Sequence, residues 1–263
     1  LLSAKVGNDP FGRQLISVMQ DFNVNTKHVH LDPKSFTTFA FVSLMLDGER
    51  DFVFNRGADA ALTEAEVGAI DLASANIVHF GSATAFLEGP LNAAYYSLKD
   101  RAKKDGKIIS FDPNYRHLLF GDKIPTFIKQ SLLFLKEADF TKLSDEEAML
   151  ITETETLEEA TDSLLTICKG VFAITLGKEG TLLGLAGKTY VIPSIAIQPV
   201  DTTGAGDAFV GAVLYQLDGL KIQDLDFSAW KKIVENANKA GARTCEYLGA
   251  MEAFKNLNNS IFN

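Results

Sequence analysis

The order of apolar and polar residues along the chain predicts strands and helices in alternation. From residue 63 onward, short apolar runs are separated by longer stretches whose apolar residues recur at helical spacing. Such strand–helix units are typical of a mainly parallel sheet covered by helices on both faces. The predicted strands span residues 77–80, 107–111, 139–141, 171–176, 181–186 and 188–193. The predicted helices span residues 63–72, 90–104, 123–136, 145–152, 157–168, 205–217 and 228–247.

The N-terminal part of the chain follows a different pattern. Asp9 and Pro10 begin a predicted helix, because an N-capping carboxylate followed by proline suits a helix start. An apolar run over residues 37–46, a polar turn at 47–49 and a second run over 51–55 predict a β-hairpin. Since this hairpin interrupts the strand–helix alternation, we expect it to belong to a separate small sheet.

Composition and charge limit the classes of function. A chain of 263 residues with 46% hydrophobic content can form one large α/β domain with a small appendage. The net charge of −9 argues against a nucleic-acid-binding surface, for which a clustered basic face would be expected. No apolar run in the sequence approaches the length of a membrane span, and no signal peptide opens it. We therefore expect a cytoplasmic protein with no membrane partner.

The segment 201–209, Asp-Thr-Thr-Gly-Ala-Gly-Asp-Ala-Phe, is the most informative part of the sequence. A glycine turn that opens into a helix directs unpaired backbone N–H groups at one point, where they can hold an anion. A carboxylate in such a cradle would repel a resting anion, but Asp207 there can accept a proton from a hydroxyl that attacks a phosphoryl group. The segment predicts phosphoryl transfer to an alcohol. A simple glycine turn capped by an aspartate is the structural alternative.

Two further polar segments follow predicted strands. Residues 112–116 are Asp-Pro-Asn-Tyr-Arg, and residues 175–180 are Thr-Leu-Gly-Lys-Glu-Gly. Each is also compatible with an ordinary turn at the end of a strand. Because ligands bind at the carboxyl ends of parallel strands, we expect both segments to lie with 201–209 at a single active site.

Together these segments resemble those of the PfkB, or ribokinase-like, carbohydrate kinases. The residue pattern of 112–116 is most similar to that of fructokinases. The resemblance covers essentially the whole chain. It implies a ribokinase-like three-layer α/β/α fold with a mainly parallel sheet in one domain, 1–263, in which 37–54 is part of a small β lid. The family pattern has a first strand and a sugar-gripping glycine segment upstream of this sequence, so we expect that the sequence lacks an N-terminal segment.

The resemblance also implies the reaction, an ATP-dependent phosphorylation of a primary hydroxyl of a monosaccharide, with fructose as the first candidate. Asp207 would be the base, and the amides of Ala205, Gly206 and Asp207 would stabilise charge on the transferring phosphoryl group. Gly204 would belong to the same catalytic turn. The sugar-binding residues would be Arg56, Asp59, Arg116 and Asp207. The ATP-binding residues would be Thr175, Gly177, Gly180, Gly204, Gly206 and Asn238. Kinases for ribose or 2-keto-3-deoxygluconate, and a non-catalytic sugar or nucleotide sensor, are the alternatives.

Metal ions are implied at two places. By the resemblance, Glu147 and Asp112 order the water shell of Mg²⁺, although Ser144 stands where the family often has asparagine. The spacing of Ser144 and Glu147 also fits a helix capping box, and one glutamate can serve both purposes. Asp201 and Thr203, with the loop after the last long helix, would hold a monovalent cation such as K⁺.

Two expectations concern packing and assembly. The small residues of the helix 228–247 are compatible with close helix packing as well as with an adenine pocket around Asn238. The lid hairpin carries apolar residues that a second copy of the chain could cover, so we expect a homodimer through the lid.

Overall fold

The computed structural model describes residues 1–44, 50–257 and 259–262. The chain forms two compact units. Unit 1 comprises Leu1–Ala75, Phe80–Lys107 and Asn114–Gln130. Unit 2 comprises Asn76–His79, Ile108–Pro113 and Ser131–Asn263. The assignment of residues 1–263 to one kinase domain stays a prediction.

Unit 1 contains two small sheets. In the first, strand β1 (Ser3–Gly7) lies parallel to β2 (His28–Asp32), and helix α1 (Pro10–Asp21) connects them. In the second, β3 (Phe39–Leu44) and β4 (Arg50–Asn55) form an antiparallel pair, which confirms the predicted hairpin. The polar turn predicted at 47–49 lies outside the described residues. The parallel pair β1–β2 was not predicted, because neither strand has an apolar run that stands out from its surroundings.

Three helices of unit 1 follow the hairpin: α2 (Glu64–Gly68), α3 (Pro90–Lys104) and α4 (His117–Phe120). The predicted capping box begins α2, with the Glu66 amide donating to Thr63 and the Thr63 amide donating to the Glu66 carboxylate. Helix α2 ends at Gly68, four residues before the predicted end. Packed aromatic rings stabilise the unit, since the ring centroids of Phe120 and Phe127 lie 4.8 Å apart.

A six-stranded sheet contains the remaining strands, in the order β10-β9-β8-β7-β6-β5. Its strands are β5 (Ile77–Gly81), β6 (Ile108–Asp112), β7 (Phe140–Ser144), β8 (Val171–Thr175), β9 (Thr181–Leu185) and β10 (Lys188–Ile192). Neighbours from β6 to β8 pair in parallel, and β8, β9 and β10 pair antiparallel. This mostly parallel sheet with flanking helices confirms the predicted three-layer α/β/α class.

The helices of unit 2 hold the glycine turn in place. They are α6 (Asp145–Thr152), α7 (Leu157–Ile167), α8 (Ala205–Leu217) and α9 (Phe227–Thr244), and α5 (Ile124–Leu135) begins in unit 1 and ends in unit 2. Phe209, Val213 and Leu217 on one side of α8 are buried, at a spacing of one helical turn. Each such side chain contributes about 1.5–3 kcal/mol on burial, which fixes the start of α8 against the core.

The observed bounds are the same as the predicted ones for three helices, α3, α6 and α8. None of the helices in the described ranges has both the length and the apolar character needed to cross a membrane.

Candidate active site

The turn that precedes α8 depends on Gly204. Its backbone has a φ of +82°, a left-handed conformation that residues with a Cβ atom rarely adopt. A methyl group on Gly204 would also come within 2.9 Å of the Cβ atom of Ala250. The turn therefore requires glycine on both conformational and steric grounds.

The start of α8 contains the three amides predicted as donors, but that of Ala205 is already used within the turn. Gly204 is the N-cap residue and has no side chain that could accept them. The Ala205 amide donates to the Thr202 carbonyl oxygen at 3.2 Å, so this donor is used within the turn. The amides of Gly206 and Asp207 have no helical acceptor, and no other group in the described part of the chain accepts them. These two N–H groups lie at the positive end of the helix dipole, an arrangement that can hold an anion.

The two aspartates of the segment have opposite environments. Asp201 is buried, and its carboxylate accepts hydrogen bonds from the Thr203 amide at 3.0 Å, the Thr203 hydroxyl at 2.7 Å and the Gly249 amide at 2.9 Å. Asp207 is exposed, and its carboxylate makes no hydrogen bond or ion pair with residues 1–44, 50–257 or 259–262. Asp201 therefore fixes the loop, and Asp207 is available to a substrate.

Cys245 closes the loop beside Asp201. Its carbonyl oxygen accepts hydrogen bonds from the amides of Val200 and Asp201 at 2.7 Å and 3.1 Å. Burial, and then the nearby carboxylates of Asp201 and Glu246, raise the pKa of the Cys245 thiol. The thiol therefore stays protonated and donates to the Gly241 carbonyl oxygen at 3.3 Å.

Lys142 lies beside the residues predicted to order metal-bound water and beside the turn predicted to hold a phosphoryl group. It lies in the middle of β7, only 7% exposed. Its Nζ atom is 3.5 Å from Asp112 Oδ2 and 3.9 Å from Glu147 Oε2, and both carboxylates are buried. A methyl group on Gly206 would come within 3.3 Å of the same Nζ atom. One buried ammonium group thus lies beside two carboxylates and the anion-binding turn.

No role was predicted for Lys142 from the sequence. The pattern that could have revealed it is a lysine next to Leu143 and two residues after Phe140, in a strand whose residues 140–143 are all buried. Lysine is almost never fully buried unless it has a charged partner, so its position alone indicates a functional or structural ion pair.

Residues 175–180 form a tight turn between β8 and β9. The Thr175 hydroxyl donates to the Leu143 carbonyl oxygen at 3.2 Å. Gly177 has a φ of +57° and Gly180 a φ of +113°. A methyl group on Gly180 would lie 2.2 Å from the Ile192 carbonyl oxygen, so the turn packs directly on the end of β10.

Asn238 lies on the buried face of α9 and makes three hydrogen bonds within unit 2. It accepts from the Thr181 hydroxyl at 2.6 Å and donates to the carbonyl oxygens of Ile192 at 3.0 Å and Pro193 at 3.3 Å. These contacts join α9 to β9 and to the end of β10. Its assignment to the nucleotide stays a prediction.

The predicted sugar-binding side chains other than Asp207 all belong to unit 1. Arg56 Nε donates to Asp59 at 3.2 Å, directly after the hairpin. Arg116 is exposed, and its guanidinium donates to the Tyr115 carbonyl oxygen at 2.9 Å. The structure therefore brings Arg56 and Asp59 into contact with each other. The role of Arg116 in sugar binding stays a prediction.

Comparison with known proteins shows the family of this chain. The family described as pfkB family carbohydrate kinase matches residues 1–256. This chain belongs to that family. Fructokinase-1 of Oryza sativa subsp. japonica is 34% identical to it over 254 residues, which cover 94% of this chain and 77% of the relative. Fructokinase-1 of Zea mays is 35% identical over 257 residues, with 94% and 77% covered.

Solved structures of carbohydrate kinases have the same fold. The crystal structure of fructokinase from Vibrio cholerae O395, in its fructose, ADP and calcium ion bound form, has a TM-score of 0.86 to this chain. The two sequences are 29% identical, and the match covers 99% of this chain and 83% of that one. The predicted membership of the PfkB family is thereby confirmed.

The carboxylates around Lys142 fit the water shell of a divalent cation in this kinase. Oxygen ligands suit such ions, and Mg²⁺ retains several waters, so two carboxylates are sufficient. Glu147 Oε2 accepts the Ser144 amide at 2.8 Å, which shows that the predicted capping box forms. The described residues contain no cluster of three or more His, Cys, Asp or Glu side chains that could hold a metal ion directly.

Proposed function

We propose that this carbohydrate kinase transfers the γ-phosphoryl group of ATP to the primary hydroxyl of fructose. The observation that supports it most is the exposed carboxylate of Asp207 beside two amides of the glycine turn, none of which has a hydrogen-bond partner among the described residues. The fructokinases among its relatives support fructose as the acceptor. Ribose, 2-keto-3-deoxygluconate and a non-catalytic sensor are the alternatives.

The chain's own groups each have a part in this reaction. Asp207 accepts the proton of the sugar hydroxyl as that oxygen attacks phosphorus. The amides of Gly206 and Asp207 stabilise negative charge on the phosphoryl oxygens, and the Lys142 ammonium adds positive charge beside them. Arg56, Asp59 and Arg116 are proposed to bind the sugar. Exclusion of water by the hairpin 37–54, acting as a lid, would protect the phosphoryl group from hydrolysis.

ATP and metal ions are assigned to residues of unit 2. The proposed ATP-binding residues are Thr175, Gly177, Gly180, Gly204, Gly206 and Asn238. Asp112 and Glu147 are proposed to order the waters of Mg²⁺, which when bound neutralises charge on the phosphates. Asp201 and Thr203 are proposed to contribute to a K⁺ site, since the Asp201 carboxylate and the Thr203 hydroxyl lie 2.7 Å apart and both present oxygen atoms.

A sugar panel tests the function. ATP consumption is measured with fructose, ribose and 2-keto-3-deoxygluconate, with Mg²⁺ present and with or without K⁺. We expect the highest kcat/KM with fructose. A higher kcat/KM with another sugar would assign that sugar as the substrate instead of fructose. Sugar binding in calorimetry without any ATP consumption would favour a non-catalytic sensor.

We also propose a cytoplasmic homodimer that covers one face of the hairpin. Phe11, Phe36, Phe41 and Val53 are each at least 45% exposed there, and Phe39 lies 4.9 Å from Phe11 and 5.6 Å from Phe41 between ring centroids. A clustered aromatic surface of this kind suits an interface, and a second copy presents the same surface. Light scattering of Phe41→Asp should give the mass of a monomer where the unmodified chain gives that of a dimer.

A further inference from the structure

The base of the hairpin is held by the hydroxyl of Thr38. This residue precedes β3, and the segment that contains Arg56, Gly57 and Asp59 follows β4. The Gly57 amide donates to Thr38 Oγ1 at 2.8 Å, and Thr38 Oγ1 is in turn hydrogen-bonded to Asp59 Oδ1. One side chain therefore joins the two ends of the hairpin.

The direction of these two hydrogen bonds follows from chemistry. An amide N–H can only donate, so Thr38 Oγ1 is its acceptor. The hydroxyl proton is then directed at Asp59, because an ionised carboxylate only accepts. Serine could make both contacts, whereas valine, which has nearly the shape of threonine, could make neither.

Asp59 transmits this constraint to Arg56. Its second oxygen accepts from Arg56 Nε at 3.2 Å. The Nη1 and Nη2 atoms of Arg56 donate to the carbonyl oxygens of Glu88 at 3.0 Å and Thr84 at 3.1 Å. Both side chains are about one-fifth exposed, at 19% for Arg56 and 21% for Asp59. The guanidinium plane is thus fixed at three points while part of it remains open to a ligand.

We propose that Thr38 is a positioning residue for sugar binding: its hydroxyl orients Asp59, and Asp59 orients the guanidinium of Arg56. The inference rests on the proposed function, in which Arg56 and Asp59 bind the sugar. Thr38 itself is not assigned a contact with the substrate. Loss of the hydroxyl would let the Asp59 carboxylate rotate, so the pair would have to be ordered again each time a sugar binds.

The neighbouring Thr37 provides a matched control. Its hydroxyl also accepts from a glycine amide, that of Gly7 at 3.1 Å, and also donates to an aspartate, Asp9 Oδ1, at 2.8 Å. Asp9 also caps α1 through the Gly12 amide at 2.8 Å, and none of these contacts reaches Asp59 or Arg56. The Thr37 hydroxyl therefore makes the same kind of hydrogen bonds as that of Thr38, but they stabilise the fold and do not contact the proposed sugar-binding pair.

The experiment compares Thr38→Val, Thr38→Ser and Thr37→Val in the full chain. We expect Thr38→Val to raise the KM and the calorimetric Kd for fructose about tenfold, the usual scale for one hydrogen bond to a charged group, with the KM for ATP within about twofold. Thr38→Ser should restore the fructose KM to within about twofold. Thr37→Val should lower the Tm and leave the fructose KM within about twofold.

Three results would overturn the proposal. The first is an unchanged fructose KM in Thr38→Val, and the second is an equal rise in Thr37→Val. The third is no restoration by serine. Should Thr38→Val fail to fold, Thr38→Ala removes the same hydroxyl and is judged by the same criteria. An unmodified chain that binds no sugar overturns the proposed function together with this inference, whereas an active unmodified chain tests Thr38 alone.

Discussion

Two regions of the molecule each contain two aspartates. The glycine turn of unit 2 has Asp201 and Asp207, and the hairpin base of unit 1 has Asp9 and Asp59, which contact Thr37 and Thr38 at the start of the hairpin. In the hairpin base, Asp9 and Asp59 both accept hydrogen bonds through both carboxylate oxygens. In the turn, Asp201 accepts three, while Asp207 accepts none from the described residues. The fold therefore uses three of these four carboxylates and leaves one available.

This difference indicates which carboxylate can act as a base. Hydrogen bonds from the amides of Gly12 and Thr37 hold the pKa of Asp9 below its usual range, which makes that carboxylate a weaker proton acceptor. The carboxylates of Asp59 and Asp201 accept hydrogen bonds from donors of their own unit. Of these four carboxylates, only that of Asp207 is exposed and without a hydrogen-bond partner among the described residues, where the amides of Gly206 and Asp207 have no acceptor either.

The largest expected effect is that of Asp207→Asn. The amide keeps the shape of the side chain but cannot accept the hydroxyl proton, so kcat should fall by at least ~100-fold, the usual scale for loss of a general base. The KM for ATP and the Kd of ADP, measured by calorimetry, should stay within about threefold. A variant that retains more than about a tenth of the activity would contradict the assigned role.

The next largest effect is expected for Lys142→Met. Removal of the ammonium leaves Asp112 and Glu147 buried without their cation, and breaking such a buried pair typically costs about 3–5 kcal/mol. ATP affinity should also fall about tenfold, because a positive charge beside the turn is lost. Urea unfolding and calorimetry measure the two effects separately.

Lys231→Met is the matched control for this variant. Lys231 lies 3.8 Å from Glu235 on α9, but its side chain is 51% exposed. The free energy of unfolding should therefore change by less than about 1 kcal/mol, and ATP affinity should not change. Equal destabilisation by the two substitutions would show that the Lys142 contacts do not contribute more than a surface ion pair.

Elements with local sequence patterns were predicted well, and contacts between distant segments were not. Helix α8 has its glycine turn, its apolar spacing and its first carboxylate within one short segment, so its bounds and its chemistry follow from the sequence. Strand β2 is polar, with two histidines and an aspartate among its five residues, and it becomes a strand by pairing with β1. Only the folded chain shows that pairing.

The same distinction applies to the candidate site. The role of Asp207 is predicted by its neighbours in sequence. The environment of Lys142 depends on β6, β7 and α8, which are far apart along the chain. Asn238 was assigned from a local pattern, while its partner Thr181 lies 57 positions away. Periodicity and motif spacing carry no information about such tertiary contacts.

The smallest expected effect is a change in Tm, and its dependence on pH distinguishes Asp9 of the hairpin base from Asp207 of the glycine turn. Because hydrogen bonds lower the pKa of Asp9 in the folded state, its contribution to stability is present above the pKa of an unfolded aspartate, near ~3.9. That contribution is lost as pH falls through the folded pKa. Asp9→Asn should therefore lower the Tm at pH 7, and the difference from the unmodified chain should shrink by roughly half or more as pH falls from 5.5 toward 3.

Asp207→Asn is the control for this measurement, because its carboxylate accepts no hydrogen bond from the described residues. At pH 7 its effect on the Tm should be smaller than that of Asp9→Asn. Asp9 accepts three hydrogen bonds from Gly12 and Thr37, whereas Asp207 lies in the first turn of α8, where a carboxylate contributes only about 0.3–1 kcal/mol through the helix dipole. If the Tm difference between Asp9→Asn and the unmodified chain did not change with pH, the Asp9 carboxylate would stabilise the hairpin base by its shape rather than by its charge.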